Sequence, residues 1–392
     1  MPIAKPSAKA VPHPVVPAAA AVPAAAAAAA AAGAAVGAAP ALPKRSRGGP
    51  RGLRITDVAH AAGVAPITVS RVFNSPETVA PETLERVREV IQKMGYVPNR
   101  LAGGLSSAKS RLIAAIVPTI AHSLFSESIQ IFSETMARSG YQVLLALSGY
   151  AEDNEEALLE SVLSRRPEAV LLIGVAHSAS LRERLRNVGI PIVETWDLTA
   201  TPIDMLVGFS HYRVGEAVAE RFLARGVRQP GLVTANDSRA LARRTGFRDR
   251  LARAGIEDIA EVLVAPPSLV PIGRAALGTL LERMPGLDAV FCGSDLLALG
   301  VLGEAQRRGI AVPTQLSICG FGDLEFAAET RPALTTVQVD GARIGLHAAR
   351  CLLKRLRGRQ GSYSGGGNSG GGNNDSSDII DVGFELMARE TA

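Results

Sequence analysis

Aromatic residues are scarce in this chain, at 4% of 392 residues, which argues against a stacking surface for single-stranded nucleic acid. Cysteine is scarcer still. Cys292, Cys319 and Cys351 form no C-x-x-C pair, so neither a disulfide framework nor a zinc site is indicated, and they read as small buried apolar residues of a reducing compartment. The histidines, His13, His60, His122, His177, His211 and His347, include no H-x-x-x-H pair, and the sequence has no G-x-S-x-G elbow. Metal and triad chemistry are disfavoured accordingly. The longest alanine run, Ala24–Ala32, is too short and too weakly apolar to span a membrane. Pro12, Pro14, Pro17 and Pro23 interrupt what would be the apolar part of an export signal. The expectation is a cytoplasmic, non-enzymatic protein with no cofactor, metal or membrane partner.

What is present is a sizeable core, with 47% hydrophobic and 20% charged residues, and an uneven charge. Twelve Lys/Arg against five Asp/Glu give Lys44–Arg111 a charge of +7, and the first 43 residues add Lys5 and Lys9. The total is +5, so Leu112–Ala392 carries −4. A small basic module joined to an acidic body points to an anionic polymer as partner of the module.

Composition divides the chain. Residues 1–50 are an Ala/Pro-rich tail read as disordered; 51–98 are a compact helical module; 99–110, NRLAGGLSSAKS, are a linker; 111–358 with 379–390 are an α/β core; and 359–378 are a flexible Gly/Ser/Asn insertion. In the core, the apolar runs LIAAIV, QVLLAL, AVLLI, GLVTA, DAVFC and SICGF alternate with amphipathic helical patterns such as ALLESVLSRR. That alternation indicates doubly wound parallel sheets, and about 250 residues fit two lobes better than one. A ligand would sit between the lobes, beyond the carboxyl ends of the strands.

The helical module has three short helices. The first begins near Thr56, taken as its N-cap, and ends at Gly63; the second starts at Pro66 and runs ITVSRVFN; the third spans Pro81 to Gly95. Ala59, Gly63, Val64 and Val69 give the small/turn/apolar spacing of a helix-turn-helix. Val64, Val69 and Val72 face inward, leaving Pro66, Ile67, Thr68, Ser70 and Arg71 near the outward, base-reading face.

The stretch RITDVAHAAGVAPITVSRVFNSPETVAPETLERVREVIQKMGYVPNRLAGGLSS closely resembles the headpiece and hinge of the lac-repressor (LacI) family, and the likeness continues to about Arg389. The resemblance implies an all-α helix-turn-helix headpiece before a two-lobed core like that of periplasmic sugar-binding proteins. It also implies a homodimer, or a tetramer of two dimers, acting on palindromic double-stranded operators. It places Pro66 and Ile67 at specificity-setting positions, Arg71 at a base-contacting arginine able to pair with guanine, and Thr68 and Ser70 near the phosphates. Leu105 matches a leucine that wedges into the minor groove, with Ala102 on the same face; Thr56, Asn74 and Asn99 complete the expected DNA-binding set. Ala65 is a poor cap for the second helix, and Gly103 and Gly104 weaken a hinge helix, so the hinge is expected to fold only on DNA.

For the core, the resemblance matches Asp295 and Arg243 to the family's effector-binding aspartate and arginine. A carboxylate accepts from sugar hydroxyls, and a guanidinium clamps an acid or phosphate. Ser123, Phe125, Trp196 and Asp323 complete the expected set, with Glu194, Asp197 and His211 as weaker candidates and Trp196 open between stacking on a sugar and plain packing. ETWDLTATPIDMLVGFSHYRVGEA and CGFGDLEFAAETRPALTTVQVDGARIG look most like the gluconate-operon repressors of the family, which respond to gluconate or its 6-phosphate. The expected protein is a DNA-binding repressor controlled by a sugar acid. Its rivals are the same regulator with a neutral sugar or keto-acid effector, a periplasmic-type sugar receptor, and a sugar-modifying enzyme.

Overall fold

The computed structural model describes residues 53–97, 110–120, 123–149, 152–362 and 379–392. The chain divides into two compact units, 1–98 and 99–392.

The first unit holds α1 (Ile55–Ala62), α2 (Pro66–Asn74) and α3 (Pro81–Met94). Val58, Ala59, Ala62, Val69, Val72, Val87 and Tyr96 form its core, with Val64, Leu84, Ile91 and Met94 packed against it. Gly63 adopts φ +65 after α1, the left-handed turn that the sequence predicts. Thr56 is not the N-cap. The cap position is Arg54, two residues earlier, whose backbone N donates to the Asp57 carboxylate at 2.7 Å. A carboxylate reaching back from the first turn replaces the hydroxyl cap. Ala65 precedes α2 with no side-chain cap bond.

The second unit is two lobes. The chain runs β1 (Leu112–Val117), α4 (Ser126–Arg138), β2 (Gln142–Leu147), α5 (Glu152–Leu163), β3 (Ala169–Ile173), α6 (Ala179–Val188), β4 (Ile192–Thr195) and β5 (Met205–Gly208) in the first lobe. It crosses into α7 (His211–Ala224), β6 (Pro230–Ala235), α8 (Ser238–Ala252), β7 (Ala260–Val264), α9 (Val270–Arg283), β8 (Ala289–Cys292), α10 (Asp295–Arg307) and β9 (Ser317–Cys319) of the second lobe. Then come β10 (Thr336–Gln338), α11 (Gly341–Ser362), β11 (Ile379–Asp381) and β12 (Glu385–Met387). The first sheet is β11-β5-β4-β3-β1-β2 and the second β7-β6-β8-β9, all pairs parallel. Because α11 and β11 return to the first lobe while β10 pairs antiparallel with β12, the chain passes between lobes more than once.

The apolar runs LIAAIV, QVLLAL and AVLLI are strands to the residue. SICGF is shorter than expected, ending at Cys319, where Gly320 N turns to the Thr335 carbonyl. The insertion begins later than 359, since α11 runs to Ser362; residues 363–378 lie outside the described residues, as do the tail 1–50 and the hinge glycines. The core does not stop at 390. Thr391 is buried and its hydroxyl donates to the Ile318 carbonyl at 2.7 Å.

The crossing of α7 on α8 positions the site, and it depends on two glycines. A Cβ at Gly215 would overlap the Arg243 carbonyl, and one at Gly246 would overlap the Tyr212 carbonyl. Gly246→Ala therefore forces the helices apart. Overpacking of this kind costs about 1–3 kcal/mol, so the variant is expected to melt several degrees below the wild type; an unchanged melting temperature would show that the crossing tolerates a methyl group.

Candidate functional site

In a parallel sheet every strand ends on the same side, so the loops after β1, β4, β6, β8 and β9 converge. They enclose a cavity of about 720 Å³, mouth included, lined by Phe125 and Trp196 from the first lobe and by His211, Asp237, Arg239, Arg243, Ser268, Ser294 and Phe321 from the second.

The walls are aromatic and the interior is cationic. Trp196 follows β4 with φ +66. Its indole Nε1 donates to Ser128 Oγ at 3.0 Å, and its ring packs edge-on against Phe125 at 5.0 Å and Phe209 at 6.1 Å. At 1% exposure it is a packed wall rather than a free stacking platform. Arg243, on α8, is buried; its Nη1 donates to His211 Nδ1 at 2.8 Å and its Nη2 to the Gly293 carbonyl at 3.2 Å. Its guanidinium lies 4.0 Å from the Phe321 ring centre, a cation–π contact. Its Nε has no hydrogen-bond partner. Burial lowers its pKa to about 10, so it stays charged at neutral pH.

An arginine cannot accept, so His211 Nδ1 must, and the ring proton then sits on Nε2, 2.9 Å from the Trp196 carbonyl. Burial and the Arg243 charge hold this histidine well below its ordinary pKa. It is neutral with both nitrogens committed, the reverse of an available general base. Arg239 lies one helical turn before Arg243, with Nε 3.9 Å from Asp237 and its guanidinium 5.1 Å from the Phe125 ring; its Nη1 is buried and unpartnered. Two carboxylates act on the pair from a distance: Asp237, 3.9 Å from Arg239, and Asp197, whose pKa burial raises while the two arginines pull it down.

The headpiece presents a different surface. Pro66, Ile67, Arg71 and Asn74 are exposed on α2, with Ile67 at 59%, while Thr68 and Ser70 are half-buried and Asn74 Nδ2 donates to Ser70 Oγ at 3.3 Å. Asn99, Ala102 and Leu105 lie outside the described residues.

A family model for "Bacterial regulatory proteins, lacI family" matches residues 54–99, and one for "Periplasmic binding protein-like domain" matches 219–364. The chain is 38% identical over 339 residues to the HTH-type transcriptional regulator GntR of Pseudomonas aeruginosa, covering 86% of this chain and 95% of that one. It is 30% identical to the regulator IdnR of Escherichia coli, over 80% of this chain and 94% of that one. The chain belongs to the LacI family.

Solved structures agree. The transcription regulator GntR from Chromobacterium violaceum is 34% identical, with a TM-score of 0.65 over 71% of this chain and 98% of that one. The lac repressor dimer bound to operator and an anti-inducer shares the fold, at 22% identity and a TM-score of 0.71 over 87% of this chain and 99% of that one. This LacI-family protein is thus a DNA-binding transcriptional regulator, close to the GntR and IdnR regulators. No described helix is long and apolar enough to cross a membrane.

Of the expected LacI-type effector residues, Phe125, Trp196 and Arg243 line the cavity. Ser123 begins a single 3-10 turn, Ser123–Phe125; its side chain lies outside the described residues. Asp295 does not line the cavity. Its Oδ1 accepts from Thr336 Oγ1 at 2.5 Å and its Oδ2 from Leu324 N at 2.7 Å, and it is fully buried. The helix cap is Ser294, whose hydroxyl accepts from Leu297 N. Asp295 faces backward because Gly320 leaves room for it, a Cβ there overlapping Oδ1. It braces the 321–324 loop, which does line the cavity. Asp323 also turns away, paired with Arg389 at 2.7 Å and accepting from Gln338. Glu194 is buried elsewhere, accepting from Ile203 N at 2.6 Å. Asp237, Arg239 and Ser268 are cavity residues that sequence reasoning missed. The signal was there for Arg239, which stands four residues from Arg243 on one helix.

Burial raises the pKa of Asp295 from 3.8 to about 6. A raised folded-state pKa gives stability that is full below about pH 4 and lost as pH rises through about 6. Two units correspond to about 3 kcal/mol. Stability to urea should fall by about that much between pH 4 and 7 through this group, and Asp295→Asn, whose amide can accept from Leu324 N and donate to Thr336 Oγ1, should flatten the fall. An unaltered pH profile in the variant would remove Asp295 as its source.

Proposed function

We propose that this regulator represses transcription under the control of a small sugar acid, such as gluconate or 6-phosphogluconate, held between the lobes. The observation that carries this reading is Arg243: a buried, charged guanidinium with an unpartnered Nε and only neutral acceptors. Asp237 and Asp197 act on this charge without a direct hydrogen bond to it; a buried charge with no bonded counter-charge is costly, and an anionic ligand supplies that direct partner where a neutral sugar does not. Arg239, with its own unpartnered Nη1, provides a second donor for a carboxylate or phosphate. Binding without turnover is the matching reading of His211, whose two nitrogens are both engaged. In this account Arg71 reads a guanine, Pro66 and Ile67 choose the operator, Thr68 and Ser70 fix register, and Leu105 opens the minor groove of a palindromic site under a dimer.

A ligand that binds only the folded state raises its melting point. Gluconate and 6-phosphogluconate should do so and glucose should not; Arg243→Gln should weaken the acids by about 10- to 100-fold, the worth of a charged hydrogen bond. A shift with glucose and none with the acids would make the neutral-sugar reading the better one, and a shift with a keto-acid alone would move the effector to that class.

The DNA side has its own outcome. Exchanging Pro66 and Ile67 for other side chains should change which operator is selected from a random pool while leaving the salt dependence of binding nearly constant. Equal loss of affinity on every sequence would make these two residues structural.

A further inference from the structure

The cleft occupies one end of the first lobe's strands, and the opposite end carries a charge pattern that effector binding does not explain. All strands of that sheet are parallel, so the last turns of α4, α5, α6 and α11 and the loops into the strands share one face. Arg138 ends α4, Arg165 and Arg166 follow α5, Arg186 lies in the last turn of α6, and Arg357 and Arg359 lie near the end of α11. All six are exposed. Arg359 donates to the Gly189 carbonyl in the loop before β4, which fixes α11 to this edge.

Among the carboxylates near this edge, Glu160 in the last turn of α5 is largely exposed, with Arg184 only at 3.9 Å, and two others are engaged. Glu168 accepts from the backbone N of Arg111 at 2.6 Å, and Asp204 pairs with Arg355 at 3.1 Å while accepting from Ile192 N at 3.1 Å. Arg138 has Glu134 only at 3.8 Å, with both side chains largely exposed. A cation at a helix C-terminus complements the helix dipole, which accounts for one arginine per helix. It does not account for the pairs at α5 and α11, nor for so cationic a face on a body whose net charge is −4. Ser110 and Arg111, immediately before β1, lie on this face as well.

We propose that this face is a second, sequence-independent DNA-contacting surface, which binds the phosphate backbone. Arginines spread over four helix ends suit a polyanion of regular spacing better than a single small anion. Contacts to phosphate add affinity and salt dependence without sequence preference. The inference does not depend on the identity of the effector.

The test uses the full-length protein and a 60-base-pair duplex of mixed sequence. Log affinity against log salt concentration falls with a slope of about 0.9 per phosphate neutralised on duplex DNA. A fourfold variant, Arg138→Gln, Arg165→Gln, Arg186→Gln and Arg357→Gln, should reduce that slope by roughly 2–4 per protomer, and the same four positions changed to Lys should restore it. Should the fourfold variant fail to fold, as judged by its melting curve, Arg165→Gln and Arg357→Gln alone should each lower the slope by about 0.9. A slope equal to wild type in folded variants overturns the proposal. So does an unchanged DNA slope accompanied by lost binding to duplex RNA or to vesicles with anionic lipid, which would assign the face to one of those partners.

Discussion

One positive charge, buried where the two lobes meet, organises the cleft. Arg243 remains ionised with its pKa near 10, yet its direct acceptors, a histidine nitrogen and a peptide carbonyl, are neutral. That requirement propagates. His211 must accept, so its proton is forced onto Nε2; that proton then holds the carbonyl of Trp196, whose backbone lies at φ +66. Five points of the chain, the ends of β4, β8 and β9 and the helices α7 and α8, are thereby tied to one guanidinium. A neutral network of this kind lowers the cost of the buried charge without cancelling it, and the remainder is available to an anionic ligand.

The same network gives a ligand leverage on the lobes. Trp196 belongs to the first lobe and Arg243 to the second, so a ligand clamped by Arg243 against the Phe125 and Trp196 wall interacts with both at once. Asp295 acts from behind the cavity. Its carboxylate ties the loop before Leu324 to Thr336 at the start of β10, and β10 leads directly into α11, which packs on the first lobe. Ligand contact at Phe321 and Gly322 is therefore linked covalently, through one braced loop, to a segment that passes between the lobes. Coupling of this form is reciprocal: whatever the effector does to DNA affinity, DNA does to effector affinity by the same factor.

The uninterrupted apolar strands were legible in the sequence because burial on both faces removes every polar interruption. The strands β5 and β7 were not. One has four residues, and the other is an edge strand carrying Glu261, which serves Arg244 and Arg248 instead of the core. The helix-turn-helix was read nearly to the residue, and its one error, the cap at Thr56, came from a carboxylate reaching back from Asp57. Family resemblance pointed to both Arg243 and Asp295; Arg243 lines the cavity, while Asp295 is buried behind its wall. Whether a residue after a strand faces a cavity depends on its distant neighbours, here Gly320, Leu324 and Thr336, and no local spacing records that. Arg239 was overlooked among the arginines of α8, although helical phase sorts them: Arg239 and Arg243 share one face, Arg244 and Arg248 the next.

That sorting applies to the whole core. On the second lobe's outer helices arginines stand beside carboxylates: Arg307 and Arg308 with Glu304, Arg253 with Glu216, Arg250 with Glu220. Exposed pairs of this type contribute at most about 1 kcal/mol each; their larger effect is to cancel potential locally. At about 0.1 M salt the screening length is near 10 Å, so such cancellation stays where the pairs are. The cations left without close carboxylates then act as distinct positive sites inside a body of net negative charge. They occur in the cleft and at the strand-start edge of the first lobe. An acidic core that needs anionic ligands in a few places and none elsewhere can be built this way, by placing its carboxylates beside the arginines that must stay silent.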